Sequence, residues 1–500
     1  MEIEKRNVKN KKEICIRIPY DKKKVTAKLK QKEYDDIFLR GRGRLDDFIG
    51  FLYEGGFLQL FDSIDSRMQR KPEIPRRFLH YCLCLKPVVE CANIHQLPTR
   101  LLEDTDTLKE LGFTIVEIEN GFSVKNKANK NIPVNINAFY DEMGRLPKEE
   151  TKKFFETGIH LLKKKRFIPR KKGIYAIDAV KLLITGDKKY QNYGKITYRK
   201  DGKLIKEKGY KLVFIQKVDG EDFYVVAACI IPLNQNESTV AKTLVKEALS
   251  NLGEDSIKIL LFDREFLSGD FFDFLGKKNI RFVCPTKENQ HLTRYMRGLH
   301  RIGEEIKVTL GDKTVLAGYN HLIKMETAER KVNGVLILKQ GKKERKQVKQ
   351  GEEFGFLTNL STSKPEQIEK VYNLYSKRWK IETNGNRELK QEWYLNKFPS
   401  QSWTGICAHI YFTLFMFNTV AAFRSKKGRA LSEKGFRSLR NKHFRPFPNK
   451  NKIIAIAGGY VGTYSLKEFL DIFNLPPPTG KHSGPVWFEF PDGHKEFHLL

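Results

Sequence analysis

Three acidic side chains and two cations are the residues of this chain best suited to chemistry. Asp178 follows the apolar run Gly-Ile-Tyr-Ala-Ile, and Asp263 follows Ile-Lys-Ile-Leu-Leu-Phe. A carboxylate in or after a buried strand costs free energy unless something binds it, so two of them predict a shared cation. Glu382 falls in a helical segment between Arg378 and Lys390, whose positive charges suit a phosphate. Carboxylates for metal ions beside cations for phosphates indicate cleavage of a nucleic-acid backbone.

Each acid taken alone also has a structural explanation. Asp178 would be a turn residue at a strand end, and Asp263 would pair with Arg264. Glu382 would form a helical ion pair with Arg378, one turn earlier. Most carboxylates are solvated or structural, so the structural explanation is preferred for any single acid and the catalytic one only for the three together. Arg264 is in addition a candidate contact to DNA.

The helical segment around Glu382 carries further candidates for binding DNA. Tyr375, Arg378 and Lys390 recur at spacings that share a helix face with Glu382. The planar fork of an arginine and the point charge of a lysine suit the phosphates next to a cut, with Tyr375 as a positioning group. Trp379 is either a core residue, which is the commoner role of a helical tryptophan, or a contact to a DNA base.

Composition indicates a multidomain protein with a polyanionic partner. The chain has 500 residues, of which 40% are hydrophobic and 12% aromatic, enough for packed cores in two to four domains. There are 92 lysines and arginines against 60 acids, a net charge of +32. Such an excess favours nucleic acid, because each neutralised phosphate releases counterions. A lysine-rich proteome would explain much of the lysine, but not the cations beside Glu382.

Cysteine usage and the N-terminus favour a cytoplasmic location. Seven cysteines are an odd number at low density, and the first residues contain no apolar signal core. Cys82, Cys84, Cys91 and His95 cluster in sequence, but their spacing matches no common zinc pattern, and small buried thiols are the preferred interpretation.

The longest apolar stretch, residues 406–423, contains several polar residues and is marginal for a membrane span. We therefore expect a buried helix of the catalytic core and no membrane association.

The order of elements predicts an α/β fold. Apolar spacing is helical from residue 45 to about 113 and from 148 to 162; from residue 173, three strands precede an alternation of helix and strand. The domain boundaries that follow are a basic arm (1–40), a helical N-terminal DNA-binding region (41–165), a first part of the core (173–300), a β-rich insertion (301–356), a second part of the core (357–425) and a basic C-terminal region (426–500), which is expected to be helical.

Four sequence pieces resemble the cut-and-paste DDE transposases of bacterial and archaeal insertion sequences, in the subgroup with a Tyr-Arg-Glu-Lys signature (insertion-sequence family four). The pieces are Ala-Ile-Asp178, Asp263-Arg-Glu-Phe, Leu-Thr-Asn359 and the segment from Tyr375 to Glu382. The family's lysine lies seven residues after the glutamate, where this chain has Leu389. Lys390 takes the role instead, because a step of eight residues returns close to the same helix face.

The resemblance implies a ribonuclease-H-like mixed sheet flanked by helices, with Asp178 and Asp263 on adjacent strands. Asp178, Asp263 and Glu382 would hold two Mg²⁺ (or Mn²⁺) ions per active site. The chain would bind double-stranded DNA at terminal inverted repeats as a homodimer on paired ends, cleave the ends, and join the 3′-hydroxyl to target DNA. A stand-alone metal-dependent nuclease of the same fold and a non-catalytic DNA-binding descendant are the alternatives.

Overall fold

The computed structural model describes residues 21–499, with the exception of 41–43, 66–73, 114–116, 119–120, 123–132, 170, 187–188, 221–222, 287–290, 304, 311–313, 324, 326, 340–342, 345–346, 349–352, 379–380, 428–435, 445–451, 476–484 and 490–494. The chain divides into two compact units, Met1–Gly158 with Glu392–Leu500, and Ile159–Gln391.

Most of the N-terminal region is helical, as the apolar spacing predicts. Its elements are α1 (Lys22–Lys30), β1 (Asp36–Arg40), α2 (Arg44–Glu54), α3 (Arg76–Leu85), α4 (Thr105–Glu110), α5 (Ile136–Arg145) and α6 (Lys148–Lys164). On α3, Cys82 and Cys84 are buried free thiols, as is Cys91 beyond it. Burial raises the pKa of the Cys82 and Cys84 thiols well above the usual range, which agrees with a packing role for them.

Six strands form the first part of a large sheet in the second unit. The elements are β2 (Gly173–Leu183), β3 (Gly194–Lys200), β4 (Lys203–Lys217), β5 (Val225–Pro232), α7 (Ser238–Leu252), β6 (Ile257–Leu261), α8 (Gly269–Lys277) and β7 (Arg281–Pro285). The strands β5, β4, β2, β6 and β7 lie side by side in that order. β4 is antiparallel to both of its neighbours, β5 and β2, whereas β2, β6 and β7 are parallel. This is the ribonuclease-H-like arrangement that the sequence predicts.

The β-rich segment continues the same sheet. It contains α9 (His291–Ile302), β8 (Ile306–Leu310), β9 (Thr314–Ile323), β10 (Val332–Lys339), the short β11 (Lys343–Glu344) and β12 (Gln347–Val348), and β13 (Glu353–Thr358). β13 pairs with β7, and β10, β9 and β8 follow outward to complete ten strands. Asn359 fastens β13 to β7, because its side chain accepts the N–H of Phe282 at 2.9 Å and donates to the carbonyl of Ile280 at 3.0 Å.

Helices then return the chain to the sheet. α10 (Pro365–Ser376) packs on β8 and β9 and is followed by a π-helix (Ile381–Arg387) and α11 (Glu388–Gln391). π-Helical turns are rare and occur mostly at functional sites. The sequence predicts a continuous α-helix here, and the wider π-helical turn is a difference from that prediction. It affects the direction of the Glu382 side chain, because Glu382 lies within the turn.

A long buried helix, α12 (Trp403–Lys427), begins the C-terminal part. It is long and apolar enough to cross a membrane, but its most apolar window is entirely buried within the protein. The sequence predicts a buried helix of the catalytic core. The burial is confirmed, and α12 packs against α2, α3 and α5 in the first unit, while its membership of the catalytic core stays a prediction. Phe48 and Phe61 of the N-terminal region contact Phe423 and Phe412 of α12, which explains its apolar faces.

The last elements are α13 (Phe436–His443), β14 (Lys452–Ala457), β15 (Tyr460–Ser465), α14 (Leu466–Ile472), β16 (Pro485–Glu489) and β17 (Lys495–Leu499). The expectation of a helical C-terminal region is therefore wrong for its strands. β1 pairs with β14, and β14 with β15, in a three-stranded sheet. Val25 and Leu29 of α1 are fully buried against this sheet, so residues 22–40 of the expected basic arm are part of a folded module.

Candidate active site

Strand register brings the first two acids together. β2 and β6 run parallel, and their last paired residues are Ala176 and Leu261. Asp178 and Asp263 each lie two residues beyond that pair, so they are at the same level along the two neighbouring strands. Asp178 is inside β2, where it pairs with Phe214, and not at a strand end. The proximity has an electrostatic effect, because the Asp263 carboxylate raises the pKa of Asp178.

Asp178 is a buried acid with three stabilising neighbours. The residue is 8% exposed, and burial is the main reason that its pKa rises to about 6, with Asp263 adding to the rise. Its Oδ1 accepts the N–H of Ala179 at 2.9 Å, and its Oδ2 accepts the side-chain amide of Asn386 at 2.9 Å. The guanidinium of Arg378 lies 3.8 Å from Oδ2. These partners lower the pKa but do not overcome the cost of burial.

Arg378 connects two of the three acids. Its Nη2 donates to Oε1 of Glu382 at 2.5 Å, while its Nη1 faces Asp178. Its Nε donates to the hydroxyl of Tyr375 at 3.0 Å, and the ring of Tyr375 packs on Phe356 of β13. Although burial acts in the opposite direction, Tyr375, Asp178 and Glu382 raise the pKa of Arg378. The guanidinium is thus a fixed cation between Asp178 and Glu382.

The π-helix sets the distance of Glu382 from the sheet. A Cβ at Gly385 would lie 2.4 Å from Oε1 of Gln216 on β4, so only glycine permits this close approach. Gln216 is fully buried, and both its amide atoms are without a hydrogen-bond partner among the described residues. One residue after Gly385, Asn386 reaches Asp178. The helix is therefore tied to the sheet at Asp178 and tightly packed on it at Gln216.

Asp263 begins a short 3₁₀ turn, Arg264–Phe266. Its Oδ1 accepts the N–H of Glu265 at 2.6 Å, and its carbonyl accepts the thiol of Cys284 at 3.6 Å. Arg264 points to solvent, 3.8 Å from the carboxylate of Glu265, and does not pair with Asp263 as the structural explanation would require. The capping bond fixes one carboxylate oxygen of Asp263.

Lys390 lies near charged residues of β2 and β4. Lys390 is half-buried at the end of α11, and its electrostatic neighbours are Lys181 of β2 and Glu207 of β4. Burial, followed by the charge of Lys181, lowers the pKa of Lys390, while Glu207 opposes the change. The prediction that it joins Tyr375 and Arg378 at a phosphate stays a prediction. Trp379, the candidate base contact, lies outside the described residues.

The chemistry of the donor set fits divalent cations. Three carboxylates are hard oxygen ligands of the kind that Mg²⁺ and Mn²⁺ prefer, and buried Asp178 is short of neutralising charge. As they stand, no three His, Cys, Asp or Glu side chains among the described residues are close enough to hold a metal ion. Arg378 accounts for this, because its guanidinium takes the space between Asp178 and Glu382. Asp178, Asp263 and Glu382 are the residues that would hold the cations.

Two neighbours of the acids were not predicted from the sequence. Asn386 lies four residues after Glu382, a helical spacing that places it near the same face, and that signal was available. Cys284 carries no such signal, since only the pairing of β6 with β7 brings it beside Asp263.

A comparison with protein families gives a match over the segment that contains the three acids. The family described as "Transposase DDE domain" matches residues 169–419, half of the chain. No curated protein matches the chain. Among solved structures, it is similar to the piggyBac transposase in a synaptic complex with hairpin DNA, with 12% sequence identity, a TM-score of 0.36, and coverage of 96% of this chain and 89% of that one. By the extent of the family match, this chain belongs to the transposase DDE domain family.

Proposed function

We propose that this chain is a metal-dependent transposase of the Tyr-Arg-Glu-Lys subgroup that cuts the ends of an insertion sequence and joins them to target DNA. The observation that carries the proposal is the meeting of Asp178 and Asp263 across parallel strands, with Arg378 connecting Asp178 to Glu382. Membership of the family supports the reaction class. The inverted repeats, the homodimer on paired ends and the strand-transfer step are parts of the proposal that extend beyond family membership.

Each residue of the site has a role in this reaction. Asp178, Asp263 and Glu382 would hold two divalent cations, which when bound supply Lewis-acid activation of the nucleophile and stabilisation of the leaving oxygen. Arg378 releases Glu382 and grips the phosphate next to the cut, a ligand that matches its planar fork as well as a carboxylate does. Tyr375 orients Arg378 through its hydroxyl. Asn386 holds Asp178 in place as the surrounding charge changes.

The nucleophile is water for cleavage and a DNA 3′-hydroxyl for joining. Both attack a phosphorus atom in line with the leaving oxygen, so no covalent bond between protein and DNA is required. Tyr375 has a positioning role in this scheme, because its hydroxyl accepts a hydrogen bond from Nε of Arg378.

The decisive experiment uses duplex DNA that carries the inverted repeats flanking the gene. With Mg²⁺ or Mn²⁺ the full chain should nick the repeat ends, and with a target plasmid it should give joined products. Asp178→Asn should lower both rates by at least about a thousandfold, because it removes the most buried acid of the site. Asp255→Asn is the matched control, an exposed aspartate of the same unit with an 85% exposed side chain, and should leave both rates unchanged.

The alternatives give different results in the same assay. Nicking without joined products would make the chain a stand-alone nuclease. Binding without any metal-dependent nicking would leave only a DNA-binding protein, and full activity of Asp178→Asn would refute the proposed site.

A further inference from the structure

A β-ribbon extends from the catalytic sheet beyond the end of β2. It is formed by β3 and the first half of β4, paired from Gly194 opposite Gly209 to Lys200 opposite Lys203. β2 ends opposite Gly209, where a Cβ would lie 2.2 Å from the carbonyl oxygen of Leu182. Glycine is therefore required where the ribbon leaves the sheet. Beyond this point nearly all side chains of both strands are exposed or half-buried, so the ribbon buries little of its own surface.

Register sorts the side chains of the ribbon into two faces. One face carries four cations and no acid, and we call it the basic face: Lys195, Arg199, Lys206 and Lys208. The opposite face carries Tyr198, Glu207 and the cross-strand pair Lys200 and Lys203. Glu207 is the only acid within the paired strands of the ribbon, so the basic face carries positive charge alone.

The acid of the opposite face is paired within the protein. Lys181 of β2 donates to Glu207 at 3.0 Å, and the hydroxyl of Tyr198 donates to the same carboxylate at 3.0 Å. The four cations of the basic face form no salt bridge with any described residue, and Lys195 directly faces Lys208. Like charges that are directly opposite across a ladder destabilise the pair. The basic face therefore has a cost in the free protein that an anion would relieve.

The basic face continues the side of the sheet that carries the candidate active site. Asp178 pairs with Phe214, so the even-numbered residues of β4 share its face. Lys181 pairs with Lys211 and contacts Glu207, which shows that the odd-numbered residues stay on the other face on both sides of Gly209. Lys206 and Lys208 thus lie on the face of Asp178, where Asn386 and Gly385 of the π-helix also contact the sheet.

We propose that the basic face of the β3–β4 ribbon binds the sugar-phosphate backbone of duplex DNA next to the segment that enters the active site. The inference rests on the proposed function and adds a binding surface to it. Contacts of this kind come from charge and carry no sequence information, so they position the duplex whatever its sequence. The seven residues of β3 would span about 23 Å at about 3.3 Å each, long enough to follow a groove edge for most of a helical turn.

The test compares two lysine pairs with the same charge and opposite faces. Lys195→Gln with Lys208→Gln removes a cross-strand pair from the basic face; Lys200→Gln with Lys203→Gln removes one from the opposite face. Binding of each full-length protein to a labelled random-sequence duplex is measured by fluorescence anisotropy in EDTA across a range of NaCl concentrations. The first variant should bind several-fold more weakly at 0.1 M salt and lose about one to two from the slope of log affinity against log salt, while the second keeps the wild-type slope.

Further measurements separate the possible failures. Arg199→Gln with Lys206→Gln should reproduce the loss, and thermal melting should show all three variants folded. If the wild type nicks DNA but the double variants of the two faces have the same slope of log affinity against log salt, the role of the basic face is refuted and the proposed function survives. If the wild type neither binds nor nicks DNA, the proposed function and the basic face both fail.

Discussion

Arg378 is the residue on which the charge balance of the candidate site depends. A single guanidinium contacts Asp178, Glu382 and Tyr375, and three different nitrogen atoms make these contacts. A lysine ammonium is a point charge and cannot reach three partners in separate directions. The geometry of the planar fork, and not charge alone, therefore explains why an arginine is suited to this position.

Arg378→Lys should consequently behave almost like a deletion of the side chain. Loss of one charge-assisted hydrogen bond costs about 1.5–3 kcal/mol, so nicking should slow by about 10- to 100-fold under single-turnover conditions. Lys370→Arg, on an exposed position of α10, is the control and should be neutral. A lysine at 378 that supports wild-type nicking would mean that only charge matters there.

For single residues, the sequence was most informative about the site where an acidic residue coincided with a predicted strand. Asp178 and Asp263 are predicted because a carboxylate in or after a buried apolar run costs free energy unless something binds it. The local sequence gives no such signal for Cys284 or Gln216, since each reaches the site only through pairing with a distant strand. The role of Lys390 stays a prediction, because it rests on regular helical spacing and part of the π-helical segment Ile381–Arg387 lies between Glu382 and Lys390.

Among the elements, the π-helix has the most direct effect on the site. Its wider turn holds Glu382 toward Arg378 and Asn386 toward Asp178. The close approach to β4 at Gly385 is what fixes its height above the sheet. Neither feature follows from apolar periodicity, which is similar for an α-helix and a short π-helix; both depend on tertiary packing.

Gly385→Ala should therefore damage activity more than stability. The added methyl group meets the buried amide of Gln216, and overpacking of this kind costs about 1–3 kcal/mol and displaces the helix. We expect nicking to fall at least about tenfold while circular dichroism still reports a folded protein. Gly298→Ala on α9 has nothing within 4 Å and should be silent.

A second substitution distinguishes packing from backbone effects at Gly385. Gln216→Ala removes the obstructing amide, so the double variant should recover much of the lost nicking rate. If Gly385→Ala stays inactive when residue 216 is alanine, the contact with Gln216 is not the reason for glycine.

For the whole molecule, the main difference from the sequence-based prediction is the joining of distant segments. Asp36 of β1 pairs with Ile456 of β14, 420 residues later in the chain. The charge-rich sequence around α1 predicts a solvated arm. Its two buried apolar residues, Val25 and Leu29, belong to a cluster whose other buried members come mainly from β14, β15 and α14. The strand pattern of the catalytic sheet was predictable because its partners lie within one segment; this module has no comparable local signal.

The module formed by α1, β1, β14, β15 and α14 allows a test of the contact between its N-terminal and C-terminal parts. Ala455 is fully buried at the centre of β14, and Ala455→Glu would place an unpaired charge in the module's core at a cost of several kcal/mol. Opening the module should free α1, so trypsin should cleave after Lys28 and Lys30 at rates well above those of the wild type, as measured by mass spectrometry. Asp471→Ala, at an exposed position of α14, should leave both bonds protected. The β1–β14 pairing joins residues 36–40 to the C-terminal segment, so protection that survived Ala455→Glu would mean that residues 22–40 are held by something other than this sheet.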